Sequence, residues 1–566
     1  MMTLKTNKGG FIGLLIFFMI GCKSVNQPMS TNSRTLNFSK EDVVSAQKVL
    51  GLEFSESAID TMYNYLGRNQ RGYEAMKKIP VDKETFPALL FDTHPMGFIA
   101  PESSSKPVWN IPDNVDMPAD IEALAFYTIP QIASLIKNKK VKSEDLTKMF
   151  ISRIKRYDGE LQSVITLTEE RALTNARKAD AEIASGNYKG VLHGIPYGVK
   201  DLMAVEGYPT TWGAKPYENQ QIEYTSTVVQ KLDAAGAILI AKLVSGALAR
   251  GDVWFNGKTK NPWDITQGAS GSSAGPGSAT SAGLVVFSLG TETLGSITSP
   301  STRNGITGLR PTYGRVSRHG VMSLAWSMDK VGPMARNAED CAIVFDVING
   351  DDPKDPSTSD FGFSFRETKD VKTMRVGYLK NLIDRDKSNS GDNLRKALDE
   401  MRAMGIEPVE MELPTEFPFA AFDIILRAEA STFFDQLVIE KGVDTMVEQS
   451  PASRANSLRQ ARFIPAVEYL QANRHRRRLI NEMYDVMKDL DVLISPTFGG
   501  TQLSITNLTG HPVISVPTGL DDRQRPTSLT FIGNLYDEEA ILLMAKAFQE
   551  RTGFDEMHPP NYLPGK

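Results

Sequence analysis

The sequence predicts an α/β protein whose β-sheet is largely covered by helices. From residue 190 to the C-terminus, short apolar segments alternate with amphipathic helical patterns, which is typical of a sheet buried under helices. Strands are expected at "MRVGYL" and "DVLISPT", and helices at "DNLRKALDEMRAMG" and "DEEAILLMAKAFQERTG". The sequence shows no internal repeat and no coiled-coil heptad pattern, so a repeat architecture is not expected.

Residues 1–21 resemble a signal peptide. Lys5 and Lys8 precede the apolar run from Phe11 to Ile20, and Cys22 follows shortly after it. This run is too short for a membrane-spanning helix, which needs about 20 residues, whereas a charged start and a short apolar centre are typical of a secretory signal. The ending at Cys22 resembles a bacterial lipobox, in which the cysteine becomes the lipidated first residue. An uncleaved anchor and a simple secretory peptide are the alternatives.

The rest of the chain divides into three predicted parts. Residues 22–37 are polar and predict a flexible tether. Residues 38–118 predict a small N-terminal helical extension of two amphipathic helices, the first capped by Ser39, followed by a loop rich in Pro, Ser and Asn. Residues 119–566 predict the main domain, which begins with helical patterns. Ser143 is expected to cap the second of these helices, and Gly186 to end the third.

Composition and charge exclude several classes of function. The formal net charge is −5, so no basic excess exists to bind nucleic acid. The six histidines show no metal-ligand spacing, and the glycine patterns that bind nucleotide phosphates are missing, so neither a metal nor a cofactor is expected. Cys341 lies in an amphipathic helical pattern, where a core position is expected rather than a nucleophile.

A segment rich in Gly, Ser, Ala and Thr begins at residue 268, and alone it would also suit a flexible linker. It leads, however, into the apolar "AGLVVFSLG" and then a glycine turn that contains Ser296. Small residues there let backbone N–H groups approach a ligand, as an oxyanion-stabilising loop requires. A nucleophilic serine needs a base, and no histidine lies within residues 261–318. Lys200 could serve if burial lowers its pKa, although a strand-end lysine that reaches water is the alternative.

Four motifs occur in order along the chain: "GIPYGVKDL", "GASGSSAG", "GTETLGSITSP" and "GLRPTYGRVSR". Together they resemble the amidase signature family. The likeness extends from about Ile121 to Pro560 and includes "LTGHPVISVPTGL" near the end. The resemblance implies a large mixed β-sheet core covered by helices on both faces, and an amide-hydrolysing activity.

The resemblance also implies a Ser–cis-Ser–Lys triad. Its lysine matches Lys200, its bridging serine after a cis peptide bond matches Ser272, and its nucleophile matches Ser296. Ser273 matches a neighbour that supports the lysine by hydrogen bonding. The backbone N–H groups that match the family's oxyanion hole belong to Thr293, Leu294, Gly295 and Ser296.

This sequence departs from the family pattern around the nucleophile. Glu292 stands where an aspartate is common, and Thr298 stands where an arginine commonly pairs with that acid. Leu294 replaces a glycine, and leucine would be strained if the turn required a positive φ there. These changes predict a reshaped loop whose backbone donors are retained.

The predicted function is that of an exported, lipid-anchored amidohydrolase of the bacterial cell envelope. It would cleave a peptide amide or another small carboxamide through an acyl-enzyme, releasing an acid and either ammonia or an amine. A binding lipoprotein on the same scaffold, non-catalytic or of altered specificity, is one alternative. An amidotransferase A-like subunit is another, but it conflicts with export because charged tRNA is a cytoplasmic substrate.

We expect Cys22→Ser to release the protein from the membrane into the soluble fraction, because the substitution removes the sulfur that would carry the lipid. Fractionation of cells that express each variant measures this. Cys341→Ser is the control and should leave the distribution unchanged. Unchanged membrane association of Cys22→Ser would contradict the lipobox.

Overall fold

The computed structural model describes residues 36–79, 81–95, 97–98, 106–366 and 368–565. The predicted signal peptide, Cys22 and nearly all of the predicted tether lie outside the described residues and stay predictions. The chain divides into two units between Pro80 and Val81. In the described residues, no helix is both long enough and apolar enough to cross a bilayer.

The N-terminal unit contains two helices, α1 (Lys40–Val49) and α2 (Glu56–Lys77). The predicted cap is present, since the Ser39 side chain accepts a hydrogen bond from the Asp42 backbone and the Asp42 carboxylate accepts one from the Ser39 backbone. The unit ends well before the predicted boundary at 118/119. Residues from Val81 onward group with the larger unit, so the extension is shorter than the 38–118 expected.

The larger unit contains most of the secondary structure. Its helices are α3 (Ile129–Lys137), α4 (Ser143–Leu161), α5 (Glu169–Ala184), α6 (Thr227–Ala234), α7 (Ala274–Ser281), α8 (Thr298–Asn304), α9 (Ala338–Ile348), α10 (Lys380–Arg385), α11 (Asn389–Ala403), α12 (Asp423–Phe433), α13 (Asp435–Ile439), α14 (Arg454–Ala461), α15 (Ala466–Met487), α16 (Gln502–Thr509) and α17 (Glu538–Thr552). Its strands are β1 (Val164–Leu167), β2 (Pro196–Lys200), β3 (Ile238–Leu243), β4 (Val253–Trp254), β5 (Gly257–Lys258), β6 (Lys260–Asn261), β7 (Asp264–Gly268), β8 (Phe287–Glu292), β9 (Thr307–Arg310), β10 (Lys330–Ala335), β11 (Val376–Tyr378), β12 (Val409–Glu410), β13 (Val492–Pro496), β14 (Val513–Leu520) and β15 (Pro526–Gly533).

The described strands form one 11-stranded mixed sheet and two small hairpins, β4–β5 and β6–β7. The order in the large sheet is β1-β3-β2-β8-β10-β9-β14-β15-β13-β11-β12. Strand β2 pairs in parallel with both β3 and β8, whereas β8 pairs antiparallel with β10. Every residue of β2, β3, β8, β9 and β10 is buried, because helices cover the sheet. The predicted α/β fold with a covered mixed sheet is confirmed.

Two local expectations were wrong for identifiable reasons. Ser143 does not cap α4. Its hydroxyl donates to the Gly194 carbonyl, and Asp180 accepts hydrogen bonds from the first backbone N–H groups of the helix instead. The Gly- and Ser-rich segment is not a linker, because residues 274–281 form the fully buried helix α7. A Cβ at Gly275 would lie 2.3 Å from the Val244 nitrogen, so its glycine permits close packing against the sheet.

Arg153 ties the C-terminal segment to α4 inside the core. Its guanidinium is fully buried and donates to the carbonyl oxygens of Gly283, Ala282 and Tyr562 at 2.9, 3.0 and 2.6 Å. It also pairs with Glu122 at 3.3 Å. These contacts join elements that are far apart in sequence.

We expect Arg153→Met to lower the free energy of unfolding by about 3 kcal/mol, because the substitution leaves buried acceptors without a donor. Chemical denaturation measures the loss. Arg156→Met is the matched control: Arg156 pairs with the same Glu122 but is 43% exposed, so its loss should stay below about 1 kcal/mol. Equal losses for the two variants would contradict this role of Arg153.

Candidate active site

Lys200 lies at the end of β2 and is fully buried. Its Nζ donates to Ser272 Oγ at 2.7 Å and to Thr291 Oγ1 at 2.8 Å, and lies 3.5 Å from the Thr291 carbonyl oxygen. Burial holds the pKa of Lys200 well below its ordinary value, although the charges of Asp329 and Glu292 favour the protonated form. The lysine does not reach water, and it is suited to act as a neutral base.

Ser272 lies between this lysine and the glycine-rich loop. The Gly271–Ser272 peptide bond is cis, as the resemblance implied. A Cβ at position 271 would lie 1.8 Å from the Gly251 carbonyl oxygen, so the loop requires glycine there. The Ser272 carbonyl accepts a hydrogen bond from the Gly246 backbone at 3.1 Å. These contacts position the serine hydroxyl at the lysine.

Ser273 supports the site in a different way from the one expected. Its hydroxyl donates to the Thr291 carbonyl oxygen at 3.1 Å and accepts from the Thr291 backbone at 3.2 Å. Among the described contacts, none joins Ser273 directly to Lys200. Thr291, which the sequence analysis missed, is the residue that holds the lysine. The Ser273 backbone also donates to the Ser296 carbonyl at 3.2 Å, which joins the two serine loops.

Ser296 lies in the turn between β8 and α8 and is 9% exposed. The positive φ of this turn falls on Gly295, at +88°, and Leu294 does not adopt a left-handed conformation. The expected strain at Leu294 is therefore absent. No described hydrogen bond uses the backbone N–H groups of Leu294, Gly295 or Ser296. Because buried N–H groups are normally paired, three consecutive donors are left for a ligand oxygen. The Thr293 hydroxyl donates to Asp329 beside them.

A buried ion pair holds the turn from behind. Glu292 accepts hydrogen bonds from the backbones of Ile297 and Thr298, both at 2.9 Å, and pairs with Arg310 of β9 at 2.7 Å. Asn507 donates to the same carboxylate at 2.9 Å. The arginine that position 298 lacks is thus replaced by Arg310 from another strand. The sequence contains Arg310 in "GLRPTYG", but nothing in that motif indicates its partner.

Burial alone would raise the pKa of Glu292, but the Arg310 charge and the hydrogen bonds from Thr298 and Asn507 outweigh it and lower the pKa to about 2. Lys330 lies opposite Glu292 in the β8–β10 pairing and donates to the Met328 carbonyl. Burial holds the pKa of Lys330 well below its ordinary value. The sequence analysis also missed this second buried lysine.

Two cavities lie near these residues. The smaller has a volume of about 20 Å³ and is lined by Thr291, Thr293 and Lys330, among others. The larger has a volume of about 510 Å³ and is lined mainly by apolar and aromatic side chains. Phe86 and Trp326 line both. In the described part of the chain, no group of three or more His, Cys, Asp or Glu residues is arranged to hold a metal ion.

Comparison with known families places this geometry. Residues 145–507 match the family described as Amidase. The chain belongs to the amidase family. The match includes the segments of all the residues just described around Lys200, Ser272 and Ser296, and it makes the protein an amide-hydrolysing enzyme.

Individual relatives agree with this assignment. This amidase is 34% identical over 470 residues to putative amidase AmiD of Mycobacterium tuberculosis, covering 78% of this chain and 97% of that protein. It is 33% identical over 486 residues to the glutamyl-tRNA(Gln) amidotransferase A subunit of Carboxydothermus hydrogenoformans, covering 77% and 99%. The native peptide amidase of Stenotrophomonas maltophilia has a similar solved structure, with a TM-score of 0.69 at 27% identity, covering 76% and 98%.

We expect Arg310→Met to destabilise the amidase by an amount that depends on pH. A carboxyl whose pKa is lower in the folded chain stabilises the fold above its ordinary value of 4.5, and this contribution is lost as the pH falls toward 2. Without Arg310, burial raises the pKa of Glu292. The loss of unfolding free energy should then be on the order of 3 kcal/mol at pH 7 and shrink toward pH 4, as Glu292 takes up a proton.

Denaturation of both proteins between pH 4 and pH 7 measures this difference. Arg525→Met is the control, because Arg525 forms a partly exposed pair with Asp521 and its removal should cost below about 1 kcal/mol at any pH. A loss for Arg310→Met that does not vary with pH would contradict the role given to Glu292.

Proposed function

We propose that this amidase hydrolyses a carboxamide through an acyl-enzyme formed on Ser296, with Ser272 relaying a proton to Lys200. The observation that carries the proposal is the 2.7 Å contact between Lys200 Nζ and Ser272 Oγ in a fully buried site. Hydroxyl partners and burial favour a neutral amine, which can accept a proton. The hydrogen bond from Ser273 to the Ser296 carbonyl holds the nucleophile's loop beside this relay.

Acylation follows from these positions. Ser296 Oγ attacks the amide carbon while its proton passes to Ser272, whose own proton passes to Lys200. The carbonyl oxygen becomes negative and accepts hydrogen bonds from the unpaired N–H groups of the 294–296 turn. Lys200 then returns its proton through Ser272 to the leaving nitrogen, which departs as ammonia or an amine.

Deacylation repeats the relay with water. Water attacks the ester carbon, its proton passes through Ser272 to Lys200, and the proton then returns to Ser296 Oγ as the acid leaves. The serine, the relay and the lysine end in their starting states. A Glu292 that stays ionised keeps the turn in one conformation throughout, because its carboxylate accepts from the two residues that follow Ser296.

We further propose that the enzyme is exported and anchored to the cell envelope through lipidated Cys22, so that its substrates are amides of that compartment. The charged start, short apolar run and Cys22 of the sequence support this. The relatives named as amidotransferase subunits support the alternative of a cytoplasmic glutamine-hydrolysing protein. Release of the protein by Cys22→Ser favours the envelope enzyme.

A fluorophosphonate probe tests the triad without knowledge of the substrate, because it labels only an activated serine. We expect the labelling rate to rise with pH along a limb set by the pKa of Lys200, since the amine must be neutral to accept the proton. The midpoint should lie well below the ordinary lysine value of about 10.4. Ser296→Ala should not be labelled, and Lys200→Met should lower the rate by a factor on the order of 10⁴.

Lys330→Met is the matched control for the base, because Lys330 is also buried beside Glu292 but does not contact Ser272 in the described structure. It should keep the ascending limb. If Lys200→Met keeps the limb while Lys330→Met loses it, the base is Lys330 and the proposed triad is wrong. Labelling of Ser296→Ala at the wild-type rate would place the nucleophile elsewhere.

A further inference from the structure

Residues 81–91, here called the strap, lie in front of the proposed catalytic residues. Lys83, Glu84 and Phe86 line the small cavity together with Thr291 and Thr293. Its volume of about 20 Å³ holds about one water molecule. An amide substrate does not fit there while the strap is in this position.

The strap also separates that cavity from the larger one. Phe86 lies at the boundary of both, opposite Trp326, and Pro87, Leu89 and Leu90 continue along the larger cavity. The larger volume of about 510 Å³ is in the range of small-molecule sites. Movement of Phe86 would therefore join a space of substrate size to the turn that carries Thr293.

Side chains alone hold the strap to the rest of the domain. Among the described hydrogen bonds, no backbone group of residues 81–91 bonds outside the strap. The Glu84 carboxylate accepts from Tyr224 at 2.5 Å and lies 3.4 Å from His319 Nδ1, and Phe86 packs against Arg318. A segment without ladder or helix bonds can leave its position at low cost.

Lys83 anchors the other end of the strap in an unusual environment. Its Nζ lies 4.4 Å from the ring centroid of Trp212, 4.7 Å from that of Tyr217 and 5.9 Å from that of Phe433. We call these three rings the aromatic box. No carboxylate pairs with Lys83 in the described structure. Several aromatic faces around one cation are the arrangement by which proteins recognise ammonium groups.

The aromatic box is attached to the catalytic loops. The Trp212 backbone donates to the carbonyl of Asp201, the residue after Lys200, at 3.2 Å. Trp212 has a φ of +52°, which is rare for a bulky residue and directs its ring from this fixed position. Its ring packs against that of Tyr217 at 4.6 Å and that of Phe433 at 5.8 Å. The box is thus preformed beside the site.

We propose that the aromatic box of Trp212, Tyr217 and Phe433 is a subsite for a primary ammonium group of the substrate, and that Lys83 occupies it while the strap is closed. The substrate class is then an amine-bearing carboxamide, whose ammonium displaces that of Lys83. This assignment of substrate rests on the proposed amidase mechanism at Ser296. The binding of an ammonium in the box does not.

Burial lowers the pKa of Lys83 to about 8. Near neutral pH most of the side chain is therefore still protonated, and it leaves the box more readily than an ion-paired lysine would. A substrate ammonium that enters competes with a cation of the same chemistry. The strap consequently excludes water and neutral amides from the site more effectively than amine-bearing ones.

Calorimetry with n-butylammonium, which matches the end of a lysine side chain, tests the subsite. The full-length Lys83→Ala variant, with its fold checked by thermal unfolding, should bind n-butylammonium at least tenfold more tightly than the wild type. It should bind the neutral n-butanol no better than the wild type does. Adding Phe433→Leu to Lys83→Ala should weaken n-butylammonium binding at least fivefold. Lys139→Ala, which removes an exposed lysine, is the matched control and should behave as the wild type.

Fluorophosphonate labelling of the same proteins tests the strap. Lys83→Ala should be labelled at least fivefold faster than the wild type, because the strap loses its anchor and opens. If the proposed mechanism fails, none of the proteins is labelled, while the calorimetric result still decides the subsite. Equal binding of n-butylammonium and n-butanol by folded Lys83→Ala, or binding of neither, would overturn the proposal.

Discussion

The parallel pairing of β2 with β8 is the constraint on which the catalytic geometry depends. The two strands are in register from Tyr197 opposite Phe287 to Val199 opposite Leu289, so their carboxyl ends meet at one edge of the sheet. Lys200 ends one strand, and the turn that carries Ser296 follows the other. Because side chains alternate across a strand, a slip of one residue would turn Lys200 to the opposite face. The buried residues on both strands prevent such a slip.

Two buried lysines on neighbouring strands show how surroundings decide the charge of an amine. Lys242 of β3 lies next to Val199 in the pairing and forms an ion pair of 2.7 Å with Asp201. Lys200 is equally buried, but its described partners are two hydroxyl groups and a carbonyl. A carboxylate partner stabilises the charged form, whereas hydroxyls can serve the neutral one. The two positions therefore suit a structural charge and a base, respectively.

Several parts of the site could not be predicted because they depend on residues that meet only in the folded chain. Arg310 comes 18 positions after Glu292, on a strand that is separated from β8 by β10. Helix α7 has Gly, Ser and Pro in place of strong helix formers, and close packing rather than intrinsic propensity stabilises it. The strap carries no motif, so nothing in its sequence indicates that Lys83 lies in an aromatic box.

The sequence by itself determined the α/β class, the family and the identities of Lys200, Ser272 and Ser296, because these follow from local patterns and from motifs that stay together along the chain. Tertiary structure alone decided which groups surround them. Thr291 holds the lysine, Arg310 compensates for Thr298, and the strap closes the cleft. The physical reason is that burial, and with it the charge of an amine or a carboxylate, depends on every element that packs around a residue. A motif specifies only its own few positions.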